Sequence, residues 1–89
     1  MEIKEHTPTP VSKDFMVAAA LVISHQQGSA SLLQRRMQIG YNKADDLVNQ
    51  LEYHGVVGGA KGSKARDVLY DDPDVIDLIF VPEEETHGK

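Results

Sequence analysis

Between Ser31 and Leu47 the chain reads Ser-Leu-Leu-Gln-Arg-Arg-Met-Gln-Ile-Gly-Tyr-Asn-Lys-Ala-Asp-Asp-Leu, two short helical spans separated by Gly40. No other stretch narrows the fold so far. Two short helices joined by a tight turn make a helix-turn-helix, and the second helix of such a unit is the element that enters a DNA major groove. The stretch that follows, Gly55 to Tyr70, reads as a small basic β-hairpin. Helix, turn, helix and basic hairpin in that order predict an α+β fold: a winged helix-turn-helix of three helices with a β-hairpin wing and a short C-terminal extension.

The periodicity supports this order. Ser12 is a helix cap, with Asp14 in the first turn, where a negative charge suits the helix dipole. Phe15 to Ile23 is apolar without a break, and its three alanines favour helix over strand. A helix apolar all round needs cover on more than one side. Gly28 is the expected C-cap. A short strand is expected at Ser29-Ala30, and Ser31 is the expected N-cap of a second helix to about Met37. Leu33, Met37 and Ile39 then face the core, and Gly40 allows the tight turn. Ala44, Leu47, Val48 and Leu51 fall at i, i+3, i+4 and i+7, which predicts a third helix from about Tyr41 to His54. Val56-Val57 and Val68-Leu69-Tyr70 read as strands flanking a flexible basic loop, Gly58 to Arg66. Asp72-Pro73 starts a further short helix, although for Val75 to Phe80 a strand competes.

These elements divide the chain into a flexible leader (1–11), a winged-helix domain (12–71), an apolar extension (72–82) and an acidic flexible tail (83–89). The apolar surplus of the first helix and the apolar run at Val75 to Phe80 are expected to meet, within one chain or across a homodimer, because both left in water expose a large patch.

The net charge of -5 over 89 residues speaks against nucleic acid until it is resolved along the chain. Residues 29–70 carry six bases (Arg35, Arg36, Lys43, Lys61, Lys64, Arg66) against four acids (Asp45, Asp46, Glu52, Asp67). Residues 71–89 carry seven acids against Lys89. The module is basic and the tail acidic, an asymmetry that points to nucleic-acid binding or to a solubilising terminus. There is no Cys, so disulfides and thiolate metal sites are excluded. No apolar run approaches the roughly 18 residues that span a membrane. The N-terminus lacks the pattern of a signal peptide. A cytoplasmic protein without membrane contact is expected.

In a winged helix the six bases converge on one face, where cations neutralise phosphates. Asn42 and Asn49 are candidates to read adenine edges and Lys43 to reach guanine. For Asn42 a helix cap competes. Tyr41 buttresses the turn or touches a phosphate. Asp46 faces DNA on the same helical face as Asn42 and Asn49, repelling phosphates or accepting from a cytosine amino group. The loop after Gly58 lacks phosphate-loop spacing, and His6, His25, His54 and His87 lack ligand spacing. No catalytic constellation stands out, so neither enzymatic activity nor a cofactor is expected.

Four stretches carry a resemblance: Ala30-Ser-Leu-Leu-Gln-Arg-Arg36, Ile39-Gly-Tyr-Asn-Lys-Ala44, Glu52-Tyr-His-Gly-Val-Val-Gly58 and Gly62-Ser-Lys-Ala-Arg-Asp-Val-Leu69. The chain here resembles the gamma domain of FtsK/SpoIIIE-type DNA translocases. The resemblance implies a winged helix that recognises short, oriented sequences in double-stranded DNA, directing a translocase during chromosome segregation. It also implies contact with a XerD-type recombinase. These residues hold no motor motif, so translocation itself is not expected of them. The chain departs from the family where Lys43 replaces the usual Arg and Asp45-Asp46 replaces Ala-Arg. A protein-interaction winged helix with weak or no DNA binding is the alternative, favoured by Asp45 and Asp46.

Overall fold

Helix α1, Lys13–His25, starts where Ser12 Oγ accepts the Phe15 N–H at 3.0 Å. Its buried residues, Phe15, Ala18, Ala19, Val22 and Ile23, recur at helical spacing and form the central wall of the core. A computed structural model describes residues 8–62 and 64–83 of the chain. The first seven residues of the expected leader, the acidic tail beyond 83 and Ser63 of the wing lie outside the described residues. The element order is β1 (Thr9–Val11), α1, α2 (Ala30–Met37), α3 (Tyr41–Tyr53), a 3-10 turn (Pro73–Val75), α4 (Ile76–Ile79) and β2 (Phe80–Pro82). With the loop between α3 and the 3-10 turn as its wing, this is an α+β winged helix.

Two expectations at the end of α1 are corrected. The left-handed residue is Gln26, with φ 51°, and not Gly28. Gln26 holds this conformation because its side-chain amide donates to the Ile23 carbonyl at 2.9 Å and to the Tyr70 carbonyl at 2.8 Å. Gly28 has a different task. It bridges Arg66 in antiparallel fashion, and the Arg66 N–H donates to the Gly28 carbonyl at 3.0 Å. A Cβ at position 28 would lie 2.8 Å from the Arg66 carbonyl oxygen, so only glycine permits the approach.

Ser29, and not Ser31, caps α2, its Oγ accepting the Leu32 N–H at 3.2 Å. The strand expected at Ser29-Ala30 is reduced to the Gly28 bridge, because Ala30 is already helical. Leu32 joins Leu33 in the core, while Met37 and Ile39 pack at its margin. The turn that follows is made by Gln38, with φ 57°. Gly40 is extended, φ -75° and ψ 168°, and serves as the N-cap of α3, so the turn does not depend on its freedom. Ala44, Leu47, Val48 and Leu51 turn inward from α3. Gly55, at φ +80°, ends the helical run after the His54 cap.

The wing is thinner than a full hairpin. Val56 and Val57 are buried, and Val57 bridges Val68. Two bonds close it, Leu69 N–H to the Val56 carbonyl and Gly58 N–H to the Asp67 carbonyl, both 2.9 Å. Nearer its tip the wing holds the Lys61–Lys64 bridge.

The C-terminal extension packs on its own chain. Asp72 caps the 3-10 turn through the Asp74 N–H at 3.0 Å, and α4 follows. Helix and strand, which competed for this segment, both occur in sequence. Ile76 and Phe80 are buried, and the Phe80 ring meets Phe15 edge-to-face at 4.9 Å. His54 closes this cluster at 5.1 Å from Phe15 and 5.4 Å from Phe80. Residues 9–11, expected in the leader, instead pair in parallel with β2, Thr9 opposite Phe80 and Val11 opposite Pro82. Val11 is buried against this aromatic end of the core. Pro10 is tolerated because a two-stranded ladder leaves one side of each strand unpaired. Among the described residues no helix is long and apolar enough to cross a membrane.

Candidate nucleic-acid interface

Packing Leu47, Val48 and Leu51 inward leaves the opposite face of α3 to Asn42, Asp46, Asn49 and Tyr53, all exposed. To one side of this face stands the wing, and to the other α1. A groove of about 280 Å³ runs between α2, α3 and the wing, lined by Ser29, Ser31, Tyr41, Asp45, Lys64 and Arg66 among others. Of the ten residues selected from sequence, Tyr41, Lys64 and Arg66 share this groove. Arg35, Arg36, Asn42, Lys43, Asp46, Asn49 and Lys61 do not line it.

The six bases divide into two groups. Arg35 and Arg36, exposed in the last turn of α2, and Lys64 in the wing have no carboxylate within salt-bridge distance among the described residues. The other three are engaged. Lys43 Nζ lies 2.6 Å from Asp14 Oδ2, which ties α3 to the first turn of α1. Lys61 Nζ lies 3.0 Å from Asp67 Oδ1, across the wing. Arg66 donates to Glu52 Oε1 at 2.7 Å and to Asn49 Oδ1 at 3.4 Å, and its side chain is only 15% exposed.

Arg66 is therefore less a free cation than a strut. Its backbone bonds Gly28 and its guanidinium bonds two side chains of α3, so one residue joins the start of α2, the wing and α3. The exposed pairs contribute little to stability, about 0.2–1 kcal/mol each. Their bases can exchange a carboxylate for a phosphate at small cost. For Arg66 the same exchange would release the wing.

Two readings of the asparagines change. Asn42 does not cap α3, since Gly40 holds that position without a side-chain bond. Asn49 has its oxygen engaged by a donor-only guanidinium. While that bond holds, the paired donor and acceptor needed for an adenine edge are not both free. Asp46 Oδ2 accepts from Gln50 Nε2 at 2.8 Å, a local i,i+4 bond. The residues selected from sequence did not include Gln50, Glu52, Asp14 or the groove residue Ser31, and Asp45 was weighed there only as a mark of the protein-interaction alternative. Gln50 had a signal in its i+4 spacing from Asp46, and Asp45 in its i+4 spacing from Tyr41; Asp14, Ser31 and Glu52 reach their partners through tertiary packing.

The profile of the Ftsk gamma domain matches residues 12–71. The chain is also similar to proteins named DNA translocase FtsK. That of Chlorobaculum tepidum is 46% identical over 66 residues, which are 74% of this chain and 8% of that protein. That of Corynebacterium glutamicum is 49% identical over 57 residues, 64% of this chain and 6% of that protein. That of Mycobacterium tuberculosis is 49% identical over 55 residues, 62% of this chain and 7% of that protein. The chain thus spans under a tenth of the length of the relatives it matches. The winged-helix fold, the match over residues 12–71 and these identities agree, and the chain belongs to the FtsK gamma domain family.

Proposed function

We propose that this chain is a non-enzymatic double-stranded DNA-binding module. Helix α3 lies in the major groove, and the wing lies along the neighbouring backbone. The observation that carries this reading is the polar face of α3 set beside a wing that Arg66 holds to it, with Arg35, Arg36 and Lys64 free of carboxylates among the described residues. Asn42, Asp46 and Asn49 face the bases. Arg35, Arg36, Tyr41, Lys43, Lys61 and Lys64 serve phosphates, with Lys43 and Lys61 leaving their carboxylates to do so. A winged helix docked by one helix and one wing has a defined direction along the duplex, which supports reading of oriented sequences in chromosome segregation. A cytoplasmic setting follows from that substrate.

Titration with duplex DNA at two salt concentrations tests this reading. Affinity should fall steeply with salt, and Lys61→Ala with Lys64→Ala should flatten the salt slope by about one unit per lost phosphate contact. Duplex binding no better than that of a neutral control protein at low salt would overturn it.

A second reading has its own support. Asp45 lines the groove beside Lys64 and Arg66, giving that surface both signs of charge. Such a surface suits a protein partner, and a XerD-type recombinase is the partner proposed. Ile76 and Phe80, expected from sequence to meet the first helix within one chain or across a homodimer, are buried within the chain, so the proposed state in solution is a monomer.

A further inference from the structure

The exposed face of α3 has a carboxylate near its centre. Asp46 is exposed and has one polar partner among the described residues, the Nε2 of Gln50 at 2.8 Å. The two residues are one turn apart on the same helix, so the bond fixes Asp46 without reference to the rest of the fold. A carboxylate only accepts hydrogen bonds. With Oδ2 engaged, Oδ1 is left as an oriented acceptor on the face that the proposed function turns toward the bases.

Such a group is a poor general DNA contact, since it repels phosphates and the acceptor edges of guanine and thymine. It suits an exocyclic amino group. In the major groove cytosine offers N4–H₂, and adenine offers N6–H₂ beside the N7 acceptor, which would repel the carboxylate. We propose that Asp46, oriented by Gln50, is a specificity-determining residue that selects cytosine at one position of the bound duplex, with Gln50 as its positioning residue. The inference rests on the reading of this chain as a DNA-binding module. It gives Asp46 a consequence opposite to that of a basic residue: weaker binding to most sequences and stronger preference among them.

The test is selection from a randomised duplex pool by the full chain, by Asp46→Asn and by Gln50→Ala. The selected duplex is then bound with its cytosine replaced by 2-pyrimidinone, which lacks the amino group. The natural chain should lose about tenfold in affinity on that replacement. Asp46→Asn should lose nothing, because Gln50 Nε2 keeps the remaining oxygen and an NH₂ turns outward. It should also bind unselected duplexes more tightly. Gln50→Ala should retain part of the preference. Lys64→Ala should weaken all duplexes and leave the cytosine ratio unchanged. All three side chains lie on the surface, and unchanged melting curves establish that the variants fold. If the natural chain and Asp46→Asn lose affinity equally, or if no cytosine-dependent position is selected, the inference is overturned while salt-dependent binding stands. If no duplex binds at low salt, both readings fall.

Discussion

The two ends of this domain are built from different materials. Where β1, α4 and β2 meet α1, contact is apolar: Val11, Phe15, Ile76 and Phe80 are buried, and three aromatic rings stack edge-to-face. At the wing, the buried Val56 and Val57 give way beyond Gly58 to polar contact: single bridges, a few backbone bonds and the Arg66, Lys61 and Glu52 side chains. Apolar contact is non-directional and insensitive to salt, whereas exposed ionic contact is weak and screened. The difference separates a rigid base from an adaptable edge. A DNA-reading domain needs both, because the helix must be held firmly while the wing follows a backbone whose path depends on sequence.

Four substitutions can break or sharpen this contrast. Phe80→Ala should have the largest effect, about 3–5 kcal/mol of lost stability, read as a shift in the urea midpoint. A loss below the effect of any wing variant would mean that the base is not the stable end. Gly28→Ala comes next, about 1–3 kcal/mol, since the new methyl group must displace the Arg66 backbone. Proteolysis within Gly58–Arg66 should accelerate in that variant; an unchanged cleavage rate would show that the wing is not held there. Arg66→Ala should cost about 1–2 kcal/mol by removing a largely buried side chain and its charge-assisted bonds to α3. Wing cleavage should again rise, while the aromatic base keeps its amide exchange protection. Lys61→Ala should be the smallest, about 0.2–1 kcal/mol, and should vanish in high salt. A cost that persists in 1 M salt would contradict a purely surface pair.

What the sequence showed, and what it hid, follows the range of each interaction. The Ser12 cap and the inward stripe of Ala44, Leu47, Val48 and Leu51 were legible because they repeat within a few residues. The β1–β2 pairing was not, because each strand is three residues long, carries a proline and shows no alternation. The left-handed cap of α1 is Gln26 and not the expected Gly28 for a related reason. A glycine after a helix serves equally as a cap or as a place of close approach, and only Arg66, far along the chain, decides between them. The bases were found, yet half of them carry partners invisible in sequence: Asp14, Glu52 and Asp67 reach them only once the chain is folded. For the bases, composition indicated the sign of the surface but not which charges are available.

The parallel register of β1 and β2 has a mechanical consequence. A load applied between residues 9 and 82 pulls the first strand backward and the second forward, so they slide past one another and their bonds are strained together. An antiparallel closure would open one bond at a time, like a zipper. Tension drawn out through these two strands therefore meets the pairing in its direction of greatest resistance. Pulling single molecules by residues 8 and 83 should give one abrupt rupture, and Val81→Pro should lower its force; gradual opening would show that the short ladder bears no load.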